Sequence, residues 1–189
     1  MIRDIQQIRD DIIEKKSTVG ELFYTDPDII EVLDNSKIDP TCPDEAMYEC
    51  IYPFIRIPGV QDESKSYICY TLDDNGTSHI NKSMKTQFLK IVIFVHQGIV
   101  NTKLGVGRHD LLGYLVKDIL NQSNALGTQL NCVFDREGAT DTNYVTRTLH
   151  FEMTAPGNFQ PFNTNKYERK SIVARQDRVL QREQVGGDM

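Results

Sequence analysis

The stretch QFLKIVIFVHQ, residues 87–97, is almost continuously apolar, and it decides the fold. Successive side chains of a β-strand point to opposite faces of the sheet, so alternate residues share a face. One alternating set contains Phe88, Val92 and Phe94, and the other contains Leu89, Ile91, Ile93 and Val95. Because both faces are apolar, the pattern predicts a central strand that is covered on both sides.

Three more strands are predicted around this one, at residues 66–72 (SYICYTL), about 128–136 and about 144–154. Each stretch is rich in the aromatic and β-branched residues that strands favour. The cluster Asp73-Asp74-Asn75-Gly76 follows the first stretch, and its Asn-Gly pair predicts a hairpin turn there. Strand pairs on either side of one helix indicate an α+β fold with an antiparallel or mixed sheet of about four strands.

Helices are predicted in three places. Isoleucines at three- and four-residue steps indicate an amphipathic helix over residues 2–13, and Asp26-Pro27 predicts the N-cap and first turn of a short second helix. The main helix follows LGVGRHD, residues 104–110, and carries leucine, valine and isoleucine pairs at helical spacing up to Leu120. LGVGRHD completes neither common phosphate-binding glycine motif. We interpret it as the entrance to the main helix, with Asp110 in the first turn.

Two segments lie outside this regular pattern. Residues 36–65 contain four prolines and the apolar sequence IYPFIRIPGV, which predicts an extended arm with about one helical turn near residues 44–50. Residues 163–189 are densely charged and contain few large apolar side chains, so they predict a tail that needs a partner surface to become ordered. The predicted organisation is one domain over residues 1–162, with N-terminal helices at 1–35, the arm at 36–65, and the sheet and main helix at 66–162.

Composition limits the possible functions. The chain of 189 residues is 39% hydrophobic and 25% charged, with a net charge of −6, which is typical of a soluble globular protein and disfavours non-specific binding to nucleic acid. The N-terminus does not resemble a signal peptide, and no apolar run is long enough to span a membrane. We therefore expect a soluble protein that is made inside a cell.

No convincing catalytic or metal-binding pattern is present. The four cysteines form no CxxC pair, and Cys69 and Cys132 lie within predicted strands. His96 and His150 are expected on neighbouring strands but lack a metal-ligand spacing. Asp73-Asp74 is better explained by turn chemistry than by a metal pair. We predict no catalytic residue, no metal and no cofactor.

The apolar surface exceeds what one small sheet and one strong helix need. The N-terminal helix and arm could simply cap the sheet within a monomer. We favour the alternative that part of this surface is a subunit interface, because long arms without secondary structure are uncommon inside compact domains.

The order of segments in residues 50–154 resembles the tail terminator and tail-completion proteins of tailed bacteriophages. The resemblance lies in IYPFIRIPGVQDESKSYICYTL, FLKIVIFVHQ, GVGRHDLLGYLVKDILN, LNCVFDREG and YVTRTLHFEM. It implies a small domain whose copies form a ring, commonly a hexamer. The ring caps the tail tube and joins it to the head connector or stopper protein, without a cofactor. It also implies assembly in the host cytoplasm, location in the virion neck, no membrane partner, and DNA only as cargo.

The ring that the resemblance implies would use interface strands, the hairpin loops and the exposed arm as contacts, and the tail could embrace a neighbouring ring. The loops at about 73–85 and 137–143 are expected to protrude most. The candidate interface residues are Tyr52, Phe54, Ile55, Ile57, Asp74, Asn75, Arg136, Glu137, Arg169 and Arg175.

Other functions stay open at this point. The chain continues past the last predicted strand, where many members of the family end, so it could be another neck component such as a connector, stopper or collar protein. It could also be a small enzyme that uses His96, His150 or Cys132. A third alternative is a monomeric protein-binding adaptor, in which the arm forms a pocket wall.

Overall fold

A computed structural model describes residues 11–34, 38–39, 42–57, 64–77, 84–140 and 142–156, with backbone alone at 11, 75–77, 155 and 156. The helices are α1 (Asp11–Thr25), α2 (Pro27–Leu33) and α3 (Arg108–Leu120). The strands are β1 (Ile51–Tyr52), β2 (Ser66–Thr77), β3 (Met84–His96), β4 (Leu130–Ala139) and β5 (Tyr144–Pro156). The predicted helix over residues 2–13 and the tail from residue 163 fall largely or wholly outside these ranges.

The five strands form one open sheet in the order β1-β2-β3-β5-β4. β1 pairs with β2 in parallel and the other pairs are antiparallel, so the predicted α+β fold with a mixed sheet is confirmed. The structure has one strand more than expected, because two residues of the arm pair with the edge of β2. β3 is the middle strand, as its two apolar faces predicted.

The helices cover one face of β3 and aromatic side chains line the other. On the helix side, Gln87, Leu89, Ile91, Ile93 and Val95 are all fully buried. On the opposite side, Tyr67 stands between Tyr52 and Tyr144, with ring centroids 6.0 and 6.1 Å apart. Residues 91–95 are therefore buried on both faces, whereas Phe88, Lys90 and His96 on the aromatic side are only partly buried.

The turn predicted at Asp73-Asp74-Asn75-Gly76 was wrong. β2 continues through these residues to Thr77, and its pairing with β3 becomes irregular only between Asp74 and Thr77. β3 pairs with Asp73, Asp74 and Thr77 on either side of the irregularity, so β2 continues past Asn75-Gly76 and the chain does not turn there. The connection between β2 and β3 falls within residues 78–83, outside the described residues.

The first half of the chain matches its predicted helices only in part. Asp26 caps α2 as predicted, and its side chain accepts hydrogen bonds from the backbone nitrogens of Asp28 and Ile29. α1 extends well past residue 13, where the predicted helix ended, because Val19 and Phe23 are buried in the core. Within the arm, the expected single helical turn is present as a 3-10 turn at Pro43–Ala46.

The interpretation of LGVGRHD as a helix entrance is confirmed. Gly105 has φ of +73°, a backbone conformation that other residues rarely adopt, and α3 begins at Arg108 with Asp110 in its first turn. Gly107 is needed for a different reason. A Cβ atom at this position would lie 2.6 Å from the His109 ring, so the ring can pack here only against a glycine.

Replacing Ile91 by alanine tests the central position of β3. Ile91 is fully buried, so Ile91→Ala should lower the free energy of unfolding by about 2–5 kcal/mol in urea denaturation. Leu104→Ala, at a side chain that is 75% exposed, should change it by no more than about 0.5 kcal/mol. Equal effects at the two positions would contradict the assignment of β3 as the core strand.

Candidate assembly surfaces

The apolar part of the arm, residues 51–57, begins inside the sheet and ends at the protein surface. Tyr52 is only 4% exposed, so its side chain covers its own sheet. Phe54 and Ile57 are 47% and 74% exposed, while Ile55 packs partly buried against the core. Of the four arm residues predicted to form an interface, Phe54 and Ile57 therefore present large apolar surfaces to solvent in the single chain.

Arg56 fastens the arm to the sheet. Its guanidinium lies over the rings of Tyr52 and Tyr67, 4.9 and 5.5 Å from their centroids, and donates a hydrogen bond to the Tyr52 hydroxyl. Burial raises the pKa of Tyr52, although the positive charge of Arg56 opposes this shift. The Tyr52 hydroxyl donates in turn to the carbonyl of Glu49 at 2.9 Å. These contacts hold the arm in place just before its exposed end.

β4 forms the opposite edge of the sheet. Residues 133–139 are all exposed, and they include two large apolar side chains, Val133 at 52% and Phe134 at 38% exposure. The pairing of β4 with β5 shifts between Cys132 and Phe134. Such an irregularity reverses which backbone groups point toward the neighbouring strand and which point away from it.

Among the described residues, only the beginning of this edge is covered. The loop after α3 hydrogen-bonds the backbone of Leu130 through residues 122 and 123, and the Asn121 side chain accepts from the backbone nitrogen of Cys132 at 3.0 Å. Beyond the shift, Thr140 donates to the Tyr144 carbonyl, so by alternation residues 134, 136 and 138 bond to β5. The backbone groups of Asp135, Glu137 and Ala139 point outward, and within the described residues they have no hydrogen-bond partner.

An ion-pair network joins β4 to α3 and β5. The Asp135 carboxylate accepts two hydrogen bonds from Arg147, at 2.8 and 2.9 Å, and one from Lys117 at 2.7 Å. Arg147 also pairs with Asp110 of the helix entrance. The Arg147 hydrogen bonds hold the pKa of Asp135 below its usual range, and the same pair raises the pKa of Arg147. A Cβ at Gly113 would lie 2.6 Å from Arg147 Cδ, so the glycine makes room for this arginine.

His109 makes a second contact between the helix entrance and β4. Its ring is buried, and Nε2 lies 3.1 Å from Oε1 of Glu137. Glu137 was predicted as an interface residue, and its side chain is mostly exposed apart from this contact. The histidine and aspartate of LGVGRHD therefore both hold α3 against the sheet, at the edge where β4 is open.

Of the two loops predicted to protrude, the one at 73–85 lies partly outside the described residues, at 78–83. The loop predicted to protrude at 137–143 is shorter, because β4 continues to Ala139 and the Asn143 carbonyl accepts a hydrogen bond from the Gln97 backbone nitrogen at 2.9 Å. Asp74 forms an ion pair with Lys85 at 2.9 Å across the β2–β3 ladder. Arg136 is exposed on β4. The Asn75 side chain, Arg169 and Arg175 lie outside what the structure describes.

The residues considered for catalysis do not come together. His96 and His150 lie on neighbouring strands, but His96 is opposite Tyr144 whereas His150 is opposite Lys90. Six residues along a strand separate these positions by roughly 20 Å. His150 stacks on Phe134 at a centroid distance of 4.7 Å, and burial, followed by the nearby Lys90 charge, lowers its pKa.

Cys69 and Cys132 lie within strands, as predicted. Burial raises the pKa of the Cys69 thiol to about 11 and also raises that of Cys132, so both thiols favour the protonated form at neutral pH. Across the part of the chain that the structure describes, no three His, Cys, Asp or Glu side chains are grouped so that they could hold a metal ion. None of the helices in that part is long and apolar enough to cross a membrane.

Two features of the β4 edge were missed at the sequence level. Arg147 and Asp135 were not singled out, since nothing in their local sequence shows that they meet. The outward backbone of β4 was also missed, although the run of charged and small residues at 135–139 is typical of an edge strand and could have indicated it.

Comparison with known proteins identifies the family. The YomW family model matches residues 23–153, more than half of the chain, and the protein belongs to this family. YomW is a phage-derived family, so the chain is phage-associated. No curated protein matches it.

The Asp135 network predicts a specific loss of stability in acid. Because the folded-state pKa of Asp135 is lowered, its contribution is present above the unfolded-state value of about 3.9 and is lost as the pH falls through the folded value. Asp135→Asn should lower the free energy of unfolding at neutral pH by about 1 kcal/mol or more, and should make its decline below about pH 4 less steep.

Urea denaturation between about pH 3 and pH 7 measures this difference. The matched control is Asp118→Asn, which changes an exposed aspartate of α3. The control should keep the wild-type acid dependence. The same acid dependence in wild type and Asp135→Asn would show that the network does not stabilise the fold.

Proposed function

We propose that this chain is a structural protein of the neck of a tailed phage, in the role of a tail terminator. In this proposal its copies form a ring, commonly of six, which caps the tail tube and joins it to the head connector or stopper protein. Membership in a phage-derived family supports the phage setting. The finer role rests on the resemblance of residues 50–154 to tail terminators and on the distribution of exposed surfaces.

One observation carries the proposal. The exposed end of the arm and the open edge of β4 lie at opposite sides of the sheet, since β1 and β4 are its two outer strands. A ring is built by head-to-tail contacts, in which one surface of each copy meets a different surface of the next. Two separate apolar surfaces on opposite edges meet this requirement, whereas a single patch would favour a twofold dimer.

The charge of the chain is compatible with a ring through which DNA passes. The net charge is −6, so an assembled ring multiplies negative charge and repels the phosphate backbone. Passage of DNA requires that the lining does not hold it. In the proposed ring, DNA is cargo, and the tail-tube and connector proteins are the binding partners.

Self-association is the first test. We expect native mass spectrometry and electron microscopy of the purified chain to show a closed ring. Ile57→Asp should weaken assembly at least about tenfold, because it places a charge in an apolar contact. Leu104→Asp is the control, since Leu104 is equally exposed but lies in the loop before α3. A chain that stays monomeric both alone and with tail tubes contradicts the proposal.

Capping of the tail tube tests the specific role. Added to polymerising tail-tube subunits, the wild-type chain should stop growth at one end at a ratio of about one ring per tube, and Ile57→Asp should not. Binding to the head connector alone, without any effect on tube growth, would instead indicate another component of the neck.

A further inference from the structure

We propose that the open edge of β4 receives the arm of a neighbouring copy as an added strand, so that the sheets of adjacent subunits join around the assembly. This inference rests on the proposed ring and identifies the contact that builds it. The segment concerned is residues 134–139 on one copy and residues 53–57 on the next.

The β4 edge has the properties of a docking site for a strand. An unpaired edge is a template for pairing with another chain, and natural proteins usually shorten or cover such edges. Here the loop after α3 covers the edge only as far as Cys132. The open part, residues 134–139, spans roughly 20 Å, and the exposed Val133 and Phe134 lie at its start.

The arm matches this edge in backbone and side chains. Lys16 and Cys69 of the same copy already donate hydrogen bonds to the carbonyls of Pro53 and Arg56. Within the described residues, the backbone groups of Ile55 and Ile57 have no hydrogen-bond partner, and as alternate residues they are available to one ladder. Phe54 and Ile57 provide apolar surface against Val133 and Phe134. Residues 53–57 contain no acidic side chain that would repel Glu137 of the edge, and their one charged residue, Arg56, is held over the rings of Tyr52 and Tyr67 of its own copy.

Charge disfavours the simplest alternative, in which two β4 edges pair around a twofold axis. In an antiparallel pair, the residue at the axis stands opposite its own copy. An axis at residue 135 sets Asp135 against itself, and axes at 136 and 137 do the same for Arg136 and Glu137. Like charges directly opposite one another are destabilising. Pairing centred on the charged residues 135–137 is therefore disfavoured, and a segment without acidic residues, such as residues 53–57, avoids this repulsion.

Amide hydrogen exchange on the full chain tests the inference residue by residue. In the dilute monomer the outward amides of residues 135, 137 and 139 should exchange rapidly. In the assembly they should exchange at least about tenfold more slowly. The amides of residues 134, 136 and 138 bond to β5 and should be protected in both states, which provides an internal control.

Mixing labelled mutant chains with unlabelled wild-type chains identifies which copy donates the added strand. We expect isotope-labelled Ile57→Asp chains to show fast exchange at residues 135, 137 and 139 when alone, and protection when mixed with unlabelled wild type. This protection can come only from the arm of another copy. Labelled Leu104→Asp chains should be protected without wild type. Protection of Ile57→Asp edges in the absence of wild type would overturn the inference.

The outcomes separate this inference from the proposed function. A closed ring with fast exchange at residues 135, 137 and 139 overturns the strand addition and leaves the ring intact. Protected edges in a dimer or an open filament support the strand addition and contradict the ring. A chain that never associates, with or without tail tubes, overturns both.

Discussion

The central strand β3 imposes the constraint on which the rest of the structure depends. Both of its faces are apolar, so each must be removed from water, and its two edges must find ladder partners. β2 and β5 satisfy the edges, the helices cover one face, and a row of aromatic side chains lines the other. Among the exposed large apolar side chains, Phe54 and Ile57 lie near the β1 edge, and Val133 and Phe134 lie on the β4 edge.

The two outer strands, β1 and β4, are held to the rest of the protein in different ways. At one side the arm contributes β1, pairs briefly with β2, and is fixed by Arg56 before it reaches solvent. At the other side, β4 is tied to α3 and β5 by the Asp135–Arg147 network, and its outer backbone stays open. Within the described residues, both edges are held by side-chain contacts and carry backbone groups that have no hydrogen-bond partner.

The family assignment and the geometry support the proposed role at different levels. Membership in YomW establishes a phage setting, and says nothing more specific about position in the virion. The arrangement of surfaces concerns assembly, and would suit several ring-forming neck proteins equally well. The proposed terminator role rests in addition on the resemblance of residues 50–154 to tail terminators. Capping of tail tubes is the property that distinguishes a tail terminator from other neck proteins.

The sequence by itself determined the elements with strong periodicity or capping signals. The apolar run of β3, the Asp26-Pro27 cap of α2 and the glycine-rich entrance of α3 each depend on neighbours in the chain, so local pattern was sufficient. It also identified the arm and listed Phe54, Ile57 and Glu137 as interface residues, a role that stays a prediction.

Tertiary structure decided what depends on residues distant in sequence. Pairing of Asp73, Asp74 and Thr77 with β3 carried β2 past the predicted turn, burial of Val19 and Phe23 lengthened α1, and two arm residues paired with the edge of β2 as a fifth strand. The meeting of Arg147 with Asp135, and the outward backbone of β4 beyond its register shift, have the same origin. All of these features depend on contacts between residues that are distant in the sequence, which local sequence preferences do not reveal.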